Sequence, residues 1–583
     1  MKSYYKMWIV FGFISIAFHI FLIFSGLVPN LISRPLHLAL ILPWIFLYNQ
    51  NTNLHLIINI TIVLVGIFSC LYIAIFSNEL MDQYGFIENK FQLVISLILI
   101  FIVLEAARRS VGWPLPTVSF LAILYGVFGN YVSGEFGHPG LPINSFFGTL
   151  TIAEGGLWGP LTGVSVSIVS IFVIFGSFLN SGEAGSGFMN IATAFAGKLR
   201  GGAAKVSVIS SALFGSISGS ASANVASTGM VTLPAMIKLN YPKRLAAAVE
   251  AVASSGGQIM PPLMGAGAFV MVELTGVPYD KIIIAALLPA LLFFFTVWIG
   301  INFYCRIYNL KPIESHNLPN IRIVFITSLF FLIPFFILLL LMYLGFTPQY
   351  AASISILSAF LLLFFNIGDF FNFKLGINRF YEACISSGKQ ISLIGSIIIC
   401  ASIIIGVLSL TGLGVKLTSL IISLSGNSIW PALILTGLAC LLLGMEVPTT
   451  AAYVICVSVA GPALVDMGLE LLQVHLFVFW FALLSTITPP VCGTVFIASG
   501  MVSENWLKVS ITSMSLGIGL YFIPLAMIAN DEIIKLDTES LYAIIAFVKV
   551  AISLVMLSYA LITKSLIFFR LLAFGLGMVL MFV

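Results

Sequence analysis

Gly257-Gln258-Ile259-Met260-Pro261-Pro262 interrupts one long apolar run, and 228 residues later Ser485-Thr486-Ile487-Thr488-Pro489-Pro490 interrupts another. The same shift places Pro234 on Pro462, Ala235 on Ala463 and Gly265 on Gly493. One Pro-Pro pair is ordinary punctuation, but two pairs in a single register with two further prolines mark an internal repeat. In each half a stretch rich in Gly, Ser and Thr, 215–234 and 444–462, precedes the segment broken at the double proline. Proline lacks an amide hydrogen and clashes with the preceding helical turn. Each pair therefore ends a helix and frees backbone carbonyls from their intrahelical partners.

The surroundings of these breaks are lipid. Of 583 residues 60% are hydrophobic and only 8% charged, against about a quarter charged in an average soluble domain. Apolar stretches such as 8–27, 56–76, 282–303 and 323–344 match the roughly 20 residues that a helix needs to cross about 30 Å of hydrocarbon. The short polar-apolar alternation of a membrane β-barrel is missing, and backbone groups in lipid must be bonded internally, so the spans are helices. The expected fold is an all-α polytopic membrane protein. Residues 1–110 hold about four spans, near 8–27, 36–48, 56–76 and 91–107, and end at the charged knot Glu105, Arg108 and Arg109. Residues 111–530 are the interrupted section, with repeats at about 160–300 and 390–525. Residues 531–583 carry an acidic connector (Asp531, Glu532, Asp537, Glu539) and two more apolar stretches. The first span is too long for a signal-peptide core and lacks a small-residue cleavage pattern, so it reads as retained.

Charge orients the halves. Lys198, Arg200, Lys205, Lys238, Lys243 and Arg244 flank the first interrupted stretch, whereas no Lys or Arg lies between Lys416 and Lys508, and Asp466 and Glu470 follow Pro462. Cytoplasmic loops collect Lys and Arg. The first stretch is thus expected to be a re-entrant hairpin entering from the cytoplasm and the second a hairpin entering from the opposite side. Two repeats of opposite orientation form an inverted repeat, an architecture of secondary transporters.

The breaks carry the chemistry. Freed carbonyls and hydroxyls at membrane depth suit a dehydrated Na⁺, a hard monovalent cation that needs no full carboxylate. The first cage is expected from Ser218, Ser220 and Asn224 with backbone oxygens of Gly257, Met260 and Pro262, and the second from Gly444, Thr449, Thr450, Thr486 and Thr488. Half-helix N-termini direct positive dipole ends at a bound anion, and Ser222, Gln258 and Glu446 are assigned to the substrate. Glu446, beside the second tip, reads either as a proton or cation site or as a solvated cap of a hairpin end. Glu250 is expected to pair with Lys243 or Arg244 near the cytoplasmic surface.

Other residues read as structural. The seven cysteines lie mostly in apolar segments without a Cys-x-x-Cys pair, as small buried hydrophobes. Trp158, Trp430, Trp480 and Trp506 are expected in interfacial belts or lipid-facing packing. The six histidines show no metal spacing, no P-loop is present, and the net charge of +4 is spread without a basic run that would suggest nucleic acid.

Three motifs carry a resemblance: Leu213-Phe214-Gly215-Ser216-Ile217-Ser218-Gly219-Ser220-Ala221, Gly257-Gln258-Ile259-Met260-Pro261-Pro262, and Gly444-Met445-Glu446-Val447-Pro448-Thr449-Thr450-Ala451-Ala452-Tyr453. Together they resemble the fused membrane subunit of tripartite ATP-independent periplasmic (TRAP) transporters, in the branch that uses a TAXI-type binding protein. The resemblance runs from near the N-terminus to about residue 530; Glu446 departs from it, standing where an apolar or small residue is expected. It implies a small four-helix domain fused to a large domain with elevator-type movement in a bacterial inner membrane. It also implies Na⁺ coupling and import of a small carboxylate delivered by a separate periplasmic protein. Composition and spacing alone imply only an inverted-repeat transporter. The competing readings are a self-sufficient carboxylate or anion carrier of related fold and a membrane-embedded enzyme, and the converging His, Asp or Lys groups of an enzyme are not evident.

Overall fold

The computed structural model describes residues 2–48, 53–314, 318–366, 371–444, 448–490 and 492–583. Among the described residues, ten helices are long and apolar enough to cross a membrane, and the sole β feature is an isolated bridge between Phe365 and Phe371. The polytopic all-helical fold is as the hydropathy implies.

The first 111 residues hold four longer helices, Lys2–Phe24, Asn30–Phe46, Asn53–Ile75 and Lys90–Val111. The second begins at Asn30 rather than near 36, because its polar residues find partners inside the protein. Arg34 donates to the Trp158 carbonyl, Asn30 Nδ2 donates to Glu154 Oε2 at 2.8 Å, and His37 lies between His19 Nε2 at 2.8 Å and Ser165 Oγ at 3.0 Å. The charged knot closes the fourth helix: Glu105 accepts from Arg108 Nε at 2.6 Å and from Arg109 Nε at 2.8 Å.

These helices lean on Phe373–Thr411, which at about 1.5 Å per residue is roughly 58 Å long, well beyond the ~30 Å hydrocarbon core. In its most apolar window 83% of residues are buried, against 28% in Tyr5–Phe24, so it is the central strut and the N-terminal helix lies outside it. Close packing follows from small residues on the strut, with Gly388 against the Trp44 ring and Gly395 against His37 and Ile41.

Each half of the interrupted section has a helical hairpin followed by a broken helix. The first hairpin is Gly202–Ser218 and Ala221–Lys238, and the first broken helix is Lys243–Gly256 and Gly265–Thr275. Adding 228 to the bounds gives Thr449–Asp466 for the second arm of the later hairpin, after Ile429–Gly444, and Leu471–Leu484 for the next half-helix, which resumes at Gly493–Val502. Both double prolines carry a cis peptide bond. The C-terminal helices Ser540–Ile562 and Ile567–Phe582 pack on each other, and the first of them also packs on Tyr279–Tyr308; Asn530 Nδ2 donates to Met581 O at 2.9 Å and Lys281 meets Asp537 at 2.8 Å.

Two tryptophans expected at a lipid interface are interior. Trp158 is buried and donates its Nε1–H to Thr151 O at 2.6 Å, and Trp480 is buried beside Phe293. A short run of hydropathy cannot tell a helix end facing lipid from one folded back into protein. All seven cysteines are free and buried.

Candidate functional site

The two hairpin tips and the two breaks converge on one cavity of about 560 Å³. The first tip contributes Ser218, Ser220 and Ser222, the first break Gln258, the second hairpin Gly444, Thr449 and Thr450, and the second break Thr486. The opposite wall comes from other helices: Ser110, Asn180, and Gln390, Leu393, Ile394 and Ile397 of the long strut. None of the described lining residues is charged. The helices starting at Ala221 and Thr449 begin at this space, so their N-terminal turns and positive dipole ends face it from both halves.

The halves are stitched together by neutral hydrogen bonds. Gln258 Nε2 donates to Gly219 O at 2.7 Å, while Thr449 Oγ1 donates to Gln258 Oε1 at 2.9 Å. One side chain thus joins the first tip, the first break and the second hairpin. Ser255 Oγ lies 2.8 Å from Thr486 Oγ1, and Thr494 Oγ1 donates to Thr486 O at 2.7 Å. Backbone contact replaces side chains where the first hairpin meets its break. A Cβ on Gly257 would stand 2.5 Å from Gly215 Cα, and one on Gly219, whose φ is +62°, would stand 2.9 Å from Gly265 Cα.

Of the expected ligands, Asn224, Gly257, Met260, Pro262 and Thr488 do not line the cavity, whereas Ser218 and Ser220 do. Asn224 is fully buried; its Nδ2 donates to Ser211 O at 2.8 Å and to Ser254 O at 3.3 Å, which turns Oδ1 away from those two carbonyls. Ser220 caps its helix by accepting from Ala223 N at 3.3 Å, and Ser218 Oγ reaches Ser220 O only at 3.5 Å. The Gly257 carbonyl accepts from Met260 N at 3.4 Å, and the Pro262 carbonyl accepts from the Tyr279 hydroxyl. Thr488 Oγ1 donates to Leu484 O at 2.8 Å and meets Tyr521 OH at 2.7 Å, away from the cavity. Glu446 lies outside the described residues.

Glu250 does not pair with Lys243 or Arg244. It is fully buried, and its carboxylate accepts only from hydroxyls: Ser207 at 2.7 Å, Ser254 at 3.2 Å, Ser211 at 3.4 Å, Thr228 and Thr232. Arg244 instead donates to Tyr308 Oη at 2.7 Å. The sequence does hold a signal for this cage. Ser207/Ser211, Thr228/Thr232 and Glu250/Ser254 are each four apart, which places every pair on one helical face. Tyr279 and Tyr521, and the strut residue Gln390, have no such signal.

Residues 98–538 match the family model of the tripartite ATP-independent periplasmic transporter, DctM component. The chain belongs to that family. Members are permeases of the inner membrane, not enzymes, and work with a periplasmic substrate-binding protein and small acid substrates. The chain is 25% identical over 335 residues to the C4-dicarboxylate TRAP transporter large permease protein of Pseudomonas aeruginosa, covering 57% of this chain and 76% of that one. It is 24% identical over 370 residues to the protein of the same description from Rhodobacter capsulatus, covering 60% and 81% respectively. It is also 24% identical to an isethionate TRAP transporter permease of Oleidesulfovibrio alaskensis, covering 58% of this family member and 53% of that protein.

Proposed function

We propose that this chain is the fused membrane subunit of a Na⁺-driven TRAP transporter of the TAXI-type branch, importing a small organic acid that a periplasmic binding protein delivers. The observation that supports it most is the cavity on which both tips and both breaks converge, with no charged side chain among its described lining residues. Residues 1–110 form the small-subunit part, 111–530 the transport part with an inverted repeat and elevator-type movement, and 531–583 an addition. The match to the family begins at residue 98, which supports reading the helices before it as the extra unit of a fusion.

The donor set fits a hard monovalent cation. Asn224 Nδ2 is held by two carbonyls, and its Oδ1 meets the Thr228 hydroxyl at 3.4 Å. Ser218, Ser220 and Asn224 with the carbonyls of Gly257, Met260 and Pro262 would hold one Na⁺. Gly444, Thr449, Thr450 and Thr486 would hold another, with Thr488 bracing that wall through Tyr521. Bound there, Na⁺ supplies positive charge beside the cavity and so favours an anion. Ser222, Gln258, Glu446 and the helix N-termini then offer hydrogen bonds to a carboxylate. With no Lys or Arg among the described lining residues, direct capture from dilute solution is weak, and a binding protein supplies the affinity.

The test is uptake into liposomes holding the chain, with an inward Na⁺ gradient, with and without the cognate soluble protein outside. Little uptake until that protein is added is the expected result. Full, saturable, Na⁺-driven uptake by the chain alone replaces this reading with a self-sufficient carrier.

A further inference from the structure

Glu250 has no role in the transport scheme above, yet its surroundings are built around it. Three helices, Gly202–Ser218, Ala221–Lys238 and Lys243–Gly256, each present a pair of residues four apart, and the five hydroxyls among them all aim at its two oxygens. Among the described residues no cation pairs with it. Lys205, Lys238, Lys243, Arg244, Asp280, Lys281, Arg306 and Lys508, with Tyr279, Tyr304, Cys305 and Tyr308, are the charged and titratable groups on the helices packed around it, and none bonds to it. Gly229 lies beside the Glu250 Cγ, where an added Cβ would stand 3.3 Å from it. An acid at membrane depth without a counter-ion is costly and marks function.

The cage satisfies both states of the carboxyl. Thr232 Oγ1 has a second acceptor in Thr228 O at 3.1 Å, and Thr228 Oγ1 has one in Asn224 O at 2.8 Å. With the carboxylate charged, both hydroxyls turn to Glu250. When H⁺ from bulk water adds to Oε2, the new O–H donates to Thr232 Oγ1, and the Thr232 proton swings to Thr228 O. No covalent bond breaks and no group is left unpaired. Thr228 Oγ1 also touches Asn224 Oδ1 at 3.4 Å, so the carboxylate and the side-chain oxygen assigned to the first cation site compete for one hydroxyl proton.

We propose that Glu250 is a proton-binding site of the first hairpin, and that its charge sets cation affinity at the neighbouring site through Thr228 and Asn224. The coupling half rests on the Na⁺ reading given above; the proton-binding half stands without it. A charged Glu250 favours the cation and a protonated one does not, so H⁺ and Na⁺ oppose each other, and by reciprocity Na⁺ binding expels a proton.

The experiment uses the full chain in lipid nanodiscs, wild type and Glu250→Gln. An infrared titration across a pH series reads the protonated carboxyl band, and a pH-indicator dye in weak buffer reads proton release when NaCl, but not choline chloride, is added. The wild type should show a titrating band that Glu250→Gln lacks. It should release protons on Na⁺ addition, and its half-effect Na⁺ concentration should fall as pH rises, by at most about tenfold per unit, the limit for mutually exclusive binding. Glu250→Gln should lose both effects. A band unchanged in Glu250→Gln overturns the proton site. A titrating band with Na⁺ binding but no proton release overturns the coupling alone, and a wild type blind to Na⁺ overturns the coupling together with the Na⁺ reading. Should Glu250→Gln fail to fold, Thr232→Val keeps the carboxyl and removes one donor; it should displace the titration, and an unmoved titration overturns the cage.

Discussion

The close approach of Gly215 and Gly257 makes Gly257→Ala a sharp perturbation of the site. The added Cβ would lie 2.5 Å from Gly215 Cα, 2.8 Å from Ser211 O and 2.9 Å from Asn224 Nδ2. Ordinary carbon contacts lie at about 3.5–4.0 Å, so the arm and the break must part by about 1 Å. Two of the three atoms are backbone, which no rotamer change relieves. Overpacking of this kind costs about 1–3 kcal/mol, and losing the Asn224–Ser211 hydrogen bond adds about 0.5–1.5 kcal/mol, for a total of about 1.5–4.5 kcal/mol. At about 1.4 kcal/mol per tenfold, the hairpin opens roughly 10- to 1,600-fold more often. Hydrogen exchange of peptides from Gly202–Ser218 and Ala221–Lys238 reads that opening directly, and Na⁺-dependent uptake should fall with it. Gly500→Ala is the control, because nothing lies within 4 Å of its new Cβ, and helix propensity makes it neutral or better by up to about 1 kcal/mol. Unchanged exchange and uptake in Gly257→Ala would refute the claim that this backbone contact holds the hairpin on the break.

Further expectations address other links. Asn224→Ala and Ser220→Ala should raise the Na⁺ concentration needed for half-maximal uptake while leaving protein in the membrane; unchanged Na⁺ dependence in both would misplace the first cage. A double-mutant cycle of Gln258→Ala and Thr449→Val on thermal stability should show a coupling of about 0.5–1.5 kcal/mol, and strict additivity would show that their 2.9 Å bond contributes nothing. Cysteines placed at the exposed turn residues Asn240 and Gly468 should label from the cytoplasm and from the periplasm respectively. Labelling from one side would end the inverted-repeat orientation.

Breaks and tips were legible because proline and glycine act locally. At both breaks the helix stops before the double proline, so the register of 228 residues anticipates the half-helices beginning at Thr449, Leu471 and Gly493 from those at Ala221, Lys243 and Gly265, whereas single prolines such as Pro234, Pro289 and Pro462 lie inside helices. Partnerships between helices were not legible. Glu250 looked like a surface acid because two basic residues stand six and seven positions before it, whereas its real partners come from two preceding helices and its own next turn. Trp158 and Trp480 misled for the same reason: hydropathy reports how apolar a residue is, not whether lipid or protein covers it. Asn30, Arg34 and His37 hid the start of a helix, since sequence alone cannot reveal that Trp158 O, Glu154 and Ser165 await them.

The cavity's two walls differ in a way that bears on the proposed movement. The hairpins and breaks present hydroxyls and carbonyls, cross-linked through Gln258–Thr449 and Ser255–Thr486, so both halves form one polar unit. Opposite them the strut presents Leu393, Ile394 and Ile397, with Gln390 already donating to Ser386 at 3.0 Å. Polar contacts resist sliding, since each broken hydrogen bond at membrane depth leaves a donor or acceptor unsatisfied, whereas apolar surfaces exchange neighbours at little cost. A boundary drawn where the bonds are fewest therefore runs between the strut and the tips, with both hairpins and both broken helices together on the side proposed to move. Replacing Ile394 by Gln should create a hydrogen bond across that boundary to the first tip and slow uptake while stability is kept or raised. An unslowed Ile394→Gln transporter would place the boundary elsewhere.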